Sequence, residues 1–260
     1  MSALLADRTV VALSGPDART LLQGLITNDI EKLAPDHPFY AALLTPQGKI
    51  LFDFVISEGD GAVLLDCAAT SAEALAKRLS MYRLRAKVEI GIRPQLAVIW
   101  GEGLDDPRNA ALGKRSIVAR AETGAEPSDA YLENRLKLGV PEGVDFGSDK
   151  MFALDAGLEE LHGVSFEKGC YVGQELTARM KHRGTARKRL LIIESDTALP
   201  PRGTDVTVGG SALGEITNTY GKRGFALIRL DRLEEAAAAP AEAAGIAVRL
   251  VRQSWLDAPR

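Results

Sequence analysis

Gly163-Val164-Ser165-Phe166-Glu167-Lys168-Gly169-Cys170-Tyr171-Val172-Gly173-Gln174-Glu175 is the stretch that decides the fold of this chain. A cysteine stands among glycines with a lysine two residues before it, and the spacing predicts a helix from about Cys170 to Met180. A thiol at a helix start feels the positive end of the helix dipole, and Lys168 adds a nearby cation. Both favour the thiolate form, which makes Cys170 the candidate reactive group. The competing reading is a small buried hydrophobe, the common state of a free cysteine. Cys67 lies inside an apolar strand and reads as core.

Downstream, Arg179, Lys181, Arg183, Arg187, Lys188 and Arg189 follow one another with no acid between them. Such a run is either a solvated loop or a patch for a polyanion, a polyglutamate tail or RNA phosphates. Short strands with turns follow at 189–195, 205–208, 212–218, 225–230 and 246–251, the pattern of a small terminal barrel or sandwich. The alanine-rich run 234–245 reads as a surface helix or loop of that unit. Upstream, Ser14-Gly15-Pro16-Asp17 caps a helix whose Ala18, Leu21, Leu22 and Leu25 share one face. Strands are predicted at 9–13, 39–44, 50–56, 62–66, 87–92, 95–100 and 115–119, with a polar loop over 101–114. Further helices are predicted at 71–83 and 129–138. Strands, hairpins and helices mixed in this order predict an α+β protein with antiparallel sheets.

The 260 residues carry 32 Lys plus Arg against 35 Asp plus Glu, a net charge of −3, and 46% are hydrophobic. That balance excludes a disordered chain and leaves direct nucleic-acid binding unexpected outside a local patch. The two cysteines exclude a disulfide scaffold and point to a reducing compartment. They also exclude a resident iron–sulfur cluster, which wants about four thiolates. His37, His162 and His182 are too scattered for a zinc spacing, so no metal ligands are expected. No phosphate loop or dinucleotide fingerprint occurs. Asp7 and Arg8 interrupt any signal-like apolar stretch, and nothing approaches a membrane span of roughly 18 residues. A cytoplasmic protein with no membrane partner is expected.

Lys168-Gly169-Cys170-Tyr171-Val172-Gly173-Gln174-Glu175 resembles the signature of the YgfZ-type folate-binding proteins. These are relatives of the glycine-cleavage T protein, an aminomethyltransferase, and act in iron–sulfur cluster assembly or repair. The resemblance extends through Leu21-Leu22-Gln23-Gly24-Leu25-Ile26-Thr27-Asn28-Asp29, Leu44-Thr45-Pro46-Gln47-Gly48-Lys49-Ile50, Tyr82-Arg83-Leu84-Arg85-Ala86, Leu176-Thr177-Ala178-Arg179 and Arg183-Gly184.

It implies a three-lobed, aminomethyltransferase-like fold with a C-terminal β-barrel. The expected division is a discontinuous first domain of 1–45 with 121–185, a ferredoxin-like domain of 46–120, and a barrel of 186–260. It implies tetrahydrofolate, or a derivative, in a central cavity near Asn28, Asp29, Tyr82, Arg83, Arg85, Arg135, Asp155, Gln174 and Glu175. Cys170 and Lys168 are the reactive pair it implies. A carboxylate reads the flat edge of a pterin, and arginines clamp the carboxylates of a folate tail. Two departures matter. T proteins carry paired acids where this chain has Phe52-Asp53, so only one acid survives. Asp155-Ala156-Gly157 stands where relatives have a Glu, so a direct bond to a pterin becomes water-mediated.

The expected function is a folate-binding accessory factor for iron–sulfur assembly or repair, partnered by client enzymes, tRNA-modifying ones included, or by cluster carriers. Cys170 is then a nucleophile, a redox group or a transient cluster ligand. The alternatives are a folate-dependent one-carbon transferase using Asp53, and an RNA-binding module using the 179–189 basic segment.

Overall fold

The computed structural model describes residues 2–184, 187–235 and 240–257. The chain opens with β1 (Ala3–Leu4) and β2 (Arg8–Ser14) and turns at Gly15 into α1 (Ala18–Gln23). Gly15 has φ +110°, and a side chain there would strike the Lys87 carbonyl, so only glycine fits the turn. Next come β3 (Phe39–Leu44), β4 (Ile50–Gly59), β5 (Ala62–Ala68), α2 (Ala72–Arg83) and β6 (Glu89–Ile92). These strands form a five-stranded antiparallel sheet in the order β3-β4-β5-β2-β6. β2 and β3 are apolar along almost their whole length because each is buried on both faces.

β7 (Leu96–Asp105) and β8 (Lys114–Ala119) join β1 in a second sheet ordered β1-β7-β8. The polar loop expected over 101–114 therefore starts later. β7 continues to Asp105 after a register shift between Trp100 and Leu104, and residues 101–105 are exposed strand. Exposure on both faces is what removed the apolar signal. α3 (Ala130–Leu138) ends at left-handed Gly139, and α4 (Gly143–Phe146) and α5 (Gln174–Arg183) follow.

The rest is a closed six-stranded barrel of β9 (Lys188–Glu194), β10 (Asp205–Val208), β11 (Ser211–Tyr220), β12 (Arg223–Arg229), β13 (Ala241–Ala243) and β14 (Ile246–Val251). α6 (Leu230–Glu235) links β12 to the last hairpin. The alanine-rich run read as helix or loop thus contains a barrel strand. Ala243 is fully buried, and β13 supplies the pairing that β10 and β14 need for closure. Residues 236–239 of that run lie outside the described residues.

The expected boundary at 45/46 is corrected. It would cut the five-stranded sheet, whose β3 pairs with β4 from Phe39↔Ile56 to Leu44↔Ile50. One apolar core lies between this sheet and helices α1 and α2, and another fills the barrel. A third includes Val10, Val98, Tyr131, Phe146, Ile192 and Trp255 and so joins both sheets, the helices and the barrel. Among the described residues no helix is long and apolar enough to cross a membrane.

Candidate functional site

The Cys170 loop is held on both sides of the thiol. On the N-terminal side Thr27 Oγ1 donates to the Gly163 carbonyl at 2.6 Å, and the Ser165 amide donates to Thr27 O at 2.9 Å. Gly163 packs so closely on the Tyr40 ring that a Cβ would lie 2.8 Å from it. Lys168 is buried, and its ammonium donates to the carbonyls of Gln23, Ile26 and Asn28, each at 2.8 Å. It also sits 5.2 Å from the centre of the Tyr171 ring. An ammonium has three N–H donors, and all three are used. Burial pushes Lys168 down to about 8.

On the C-terminal side the Val172 amide donates to Gly24 O at 3.3 Å. Gly173 has φ +84° and lies against the Thr45 carbonyl, 2.5 Å from where a Cβ would be, so this glycine is obligatory. Gly169 has open space around it, and the Cys170 thiol beside it is exposed. Cys67 is buried in β5, and burial pushes its thiol up to about 12.

Two expectations about this loop change. α5 begins at Gln174, so Cys170 precedes the helix by a full turn, beyond the reach at which a helix terminus acts strongly. The apolar residues Tyr171 and Val172 extended the helical pattern too far, because they join two apolar cores from an irregular segment. Lys168 is a staple under the loop, with its donors spent on backbone rather than on sulfur.

The other residues named for a folate site are dispersed. Asn28 donates to Tyr40 O at 2.9 Å and His162 O at 2.8 Å while lining a cleft of about 800 Å³. Asp29 accepts from Gln23 Nε2 at 2.8 Å and from the Glu31 amide at 3.2 Å. Tyr82 is half-buried, whereas Arg83 and Arg85 are exposed. Gln174 Oε1 accepts from the Tyr171 amide at 3.4 Å, and exposed Glu175 pairs with Arg179. Asp155 is buried beside β9, where burial pushes its carboxyl up to about 6 against the pull of Arg189 and Lys188. Arg135 is buried, donating to Asp145 Oδ2 at 2.5 Å, Val140 O at 2.9 Å and Tyr220 Oη at 3.1 Å. In the basic segment, Arg179, Lys181 and Arg189 pair with Glu175, Glu159 and Glu160, which leaves much of its charge answered within the chain.

Sequence reasoning missed a buried ionic network where the sheets and helices meet. Asp66 accepts from Arg8 at 2.7 Å and from Arg115 at 2.5 Å. Arg108 bridges Asp106 at 2.7 Å and Glu142 at 2.8 Å, and the Tyr131 hydroxyl donates to Glu142 at 2.5 Å. Burial works against the charge on Glu142, yet Arg135, Arg8 and Arg108 hold it well below the usual carboxylate range. Asp53 lies beside this network, accepts from Tyr40 Oη at 3.0 Å, and is raised by burial. The charges flank apolar runs, with Arg8 opening β2 and Arg115 near the start of β8, where they resemble ordinary surface ends. Among the described residues no three His, Cys, Asp or Glu side chains converge as a metal site.

Comparison with known proteins places this architecture. Residues 187–258 match the family model described as the CAF17 C-terminal beta-barrel domain. The chain superposes on the glycine cleavage system aminomethyltransferase T of Bartonella henselae with a TM-score of 0.75, covering 98% of this chain and 85% of that one at 15% identity. The fold is therefore aminomethyltransferase-like, as expected. The mitochondrial iron–sulfur cluster assembly factor IBA57 of Mus musculus is 34% identical, over 88% of this chain and 78% of its own length. Its Homo sapiens counterpart is 32% identical over the same shares. These relatives are mitochondrial, which overturns the expected cytoplasmic location. They also replace the YgfZ label with a related one: the chain belongs to the IBA57-type family of iron–sulfur cluster assembly factors.

Proposed function

We propose that this protein assists assembly of iron–sulfur clusters on client proteins, with Cys170 as a single thiolate ligand to a cluster shared with a partner. The observation that carries the reading is one exposed thiol on a rigidly anchored loop, in a chain whose other cysteine is buried. A cluster wants about four thiolates, so the rest come from the partner and the cluster is cargo in transit. Lys168 is the positioning residue, since its three carbonyl bonds fix the loop that presents the sulfur. Iron–sulfur client enzymes, tRNA-modifying ones among them, are the proposed beneficiaries.

Tetrahydrofolate forms no part of the proposed mechanism, because the residues named for it fit poorly. Arg135 spends its donors on Asp145, Val140 and Tyr220, Asn28 spends its amide on two carbonyls, and Arg83 and Arg85 stand on the surface. Asp53 is itself buried beside the ion network, hydrogen-bonded to Tyr40 and facing the charges of Arg8 and Glu142. The single acid at Phe52-Asp53 likewise speaks against aminomethyl transfer.

The test is complementation of cells lacking their own factor. Cys67→Ser should restore the activity of iron–sulfur enzymes and Cys170→Ser should not. Full restoration by Cys170→Ser would refute the proposal.

A further inference from the structure

Two clefts meet at Pro38, Leu104, Asp105 and Pro107. One, of about 630 Å³, runs between β8 and the β4–β5 hairpin. The other, of about 800 Å³, continues to residues 164–167, the arm of the loop that leads to Cys170. Val55, Leu64 and Ile117 wall the first cleft. Leu104, where the clefts meet, and Phe166, in the second, leave 38% and 37% of their surface exposed.

β8 is an edge strand, and residues 115–119 line the cleft in unbroken succession. The Leu5 amide donates to Val98 O, so Val98 spends its backbone groups on the β1 side. Ile117 faces Val98 across the β7–β8 pair and therefore turns its own N–H and C=O away from β7, as does Ala119 two residues on. An unpaired edge of this kind is a template for an added strand. The rim is acidic, with Asp60, Asp105 and Glu122 near β8 and Glu167 at the far end.

We infer that this groove docks an extended segment bearing lysine or arginine, which adds to β8 as a further strand. Its apolar side chains lie on the walls and its cations on the rim. Assigning that segment to the protein that holds the cluster with Cys170 rests on the function proposed above.

Binding of a fluorescein-labelled heptapeptide of alternating lysine and valine to the full-length protein tests this by anisotropy, with a glutamate–valine peptide as control. Ala119 has φ −64°, the angle proline imposes, and its N–H points into the cleft. Ala119→Pro therefore removes an edge donor while keeping the β7 pairing. The Kd for the lysine peptide should rise about three- to tenfold in Ala119→Pro, and about tenfold or more when Asp105→Lys and Glu122→Lys are combined. The glutamate peptide should not bind, and Cys170→Ser should bind the lysine peptide as the parent does. Equal binding by the parent, Ala119→Pro and the double lysine variant overturns the inference, as does tight binding of the glutamate peptide. If the peptide results hold while Cys170→Ser supports iron–sulfur enzymes fully, the groove stands and the thiol reading falls.

Discussion

Lys168 and Cys170 are two residues apart on one loop, yet the Lys168 ammonium is buried on three backbone carbonyls while the Cys170 thiol is exposed. The lysine makes the loop rigid, and the rigid loop presents the sulfur. Lys168→Met leaves those carbonyls without donors inside the protein and should cost about 3 kcal/mol of stability. Urea denaturation reads the loss. Amide exchange should rise in residues 165–173 and remain unchanged in the barrel.

The two thiols should react at very different rates. Cys170 should take up a maleimide in the native protein within minutes, while Cys67 stays unlabelled until denaturant is added, because it lies wholly within β5. Mass spectrometry of peptides after timed labelling checks this. Equal labelling of both in the native state would contradict the placement of β5.

Asp155 predicts a pH dependence with a definite sign. Its folded carboxyl is pushed up to about 6 by burial from an ordinary value of 3.8, so the folded state holds the proton more tightly than the unfolded chain. The resulting contribution is complete below pH 4 and is lost as pH rises through 6. Asp155→Asn should therefore flatten the stability curve between pH 4 and 6 and raise stability at pH 7 by about 1–3 kcal/mol. Denaturation midpoints across that range provide the measurement. A carboxylate kept at such a cost marks the position as one worth testing for function.

Glu142 anchors the central network by accepting from Arg108 and Tyr131. Glu142→Gln leaves Arg8 on Asp66 and Arg108 on Asp106 but removes the carboxylate the two arginines share, so the buried network gains net positive charge and should lose about 3–5 kcal/mol. Since the network is buried, added salt should change that loss little. A loss below ~1 kcal/mol would mean that water reaches the centre.

The regular strands were legible because their apolar pattern matched their burial: 39–44, 205–208 and 246–251 are read from sequence with the bounds they have in the structure. The start of α5 was not legible. Tyr171 and Val172 satisfy a helical period while belonging to an irregular segment fixed by Gly173 and by long-range bonds to Gly24. β13 hid in an alanine-rich run, since small residues carry no strand signal and only barrel closure demands a strand there. At the site, the cysteine and its glycines could be read locally. The partner of Lys168 could not, because Gln23, Ile26 and Asn28 recognise it through backbone oxygens that any residue would supply.

The most direct test of the central claim is anaerobic mixing of this protein with a cluster-carrying partner that provides fewer than four thiolates of its own, followed by visible absorption of the purified complex. The parent and Cys67→Ser should both co-purify with the cluster chromophore, and Cys170→Ser should not. A stable, cluster-containing complex formed by Cys170→Ser would contradict the account.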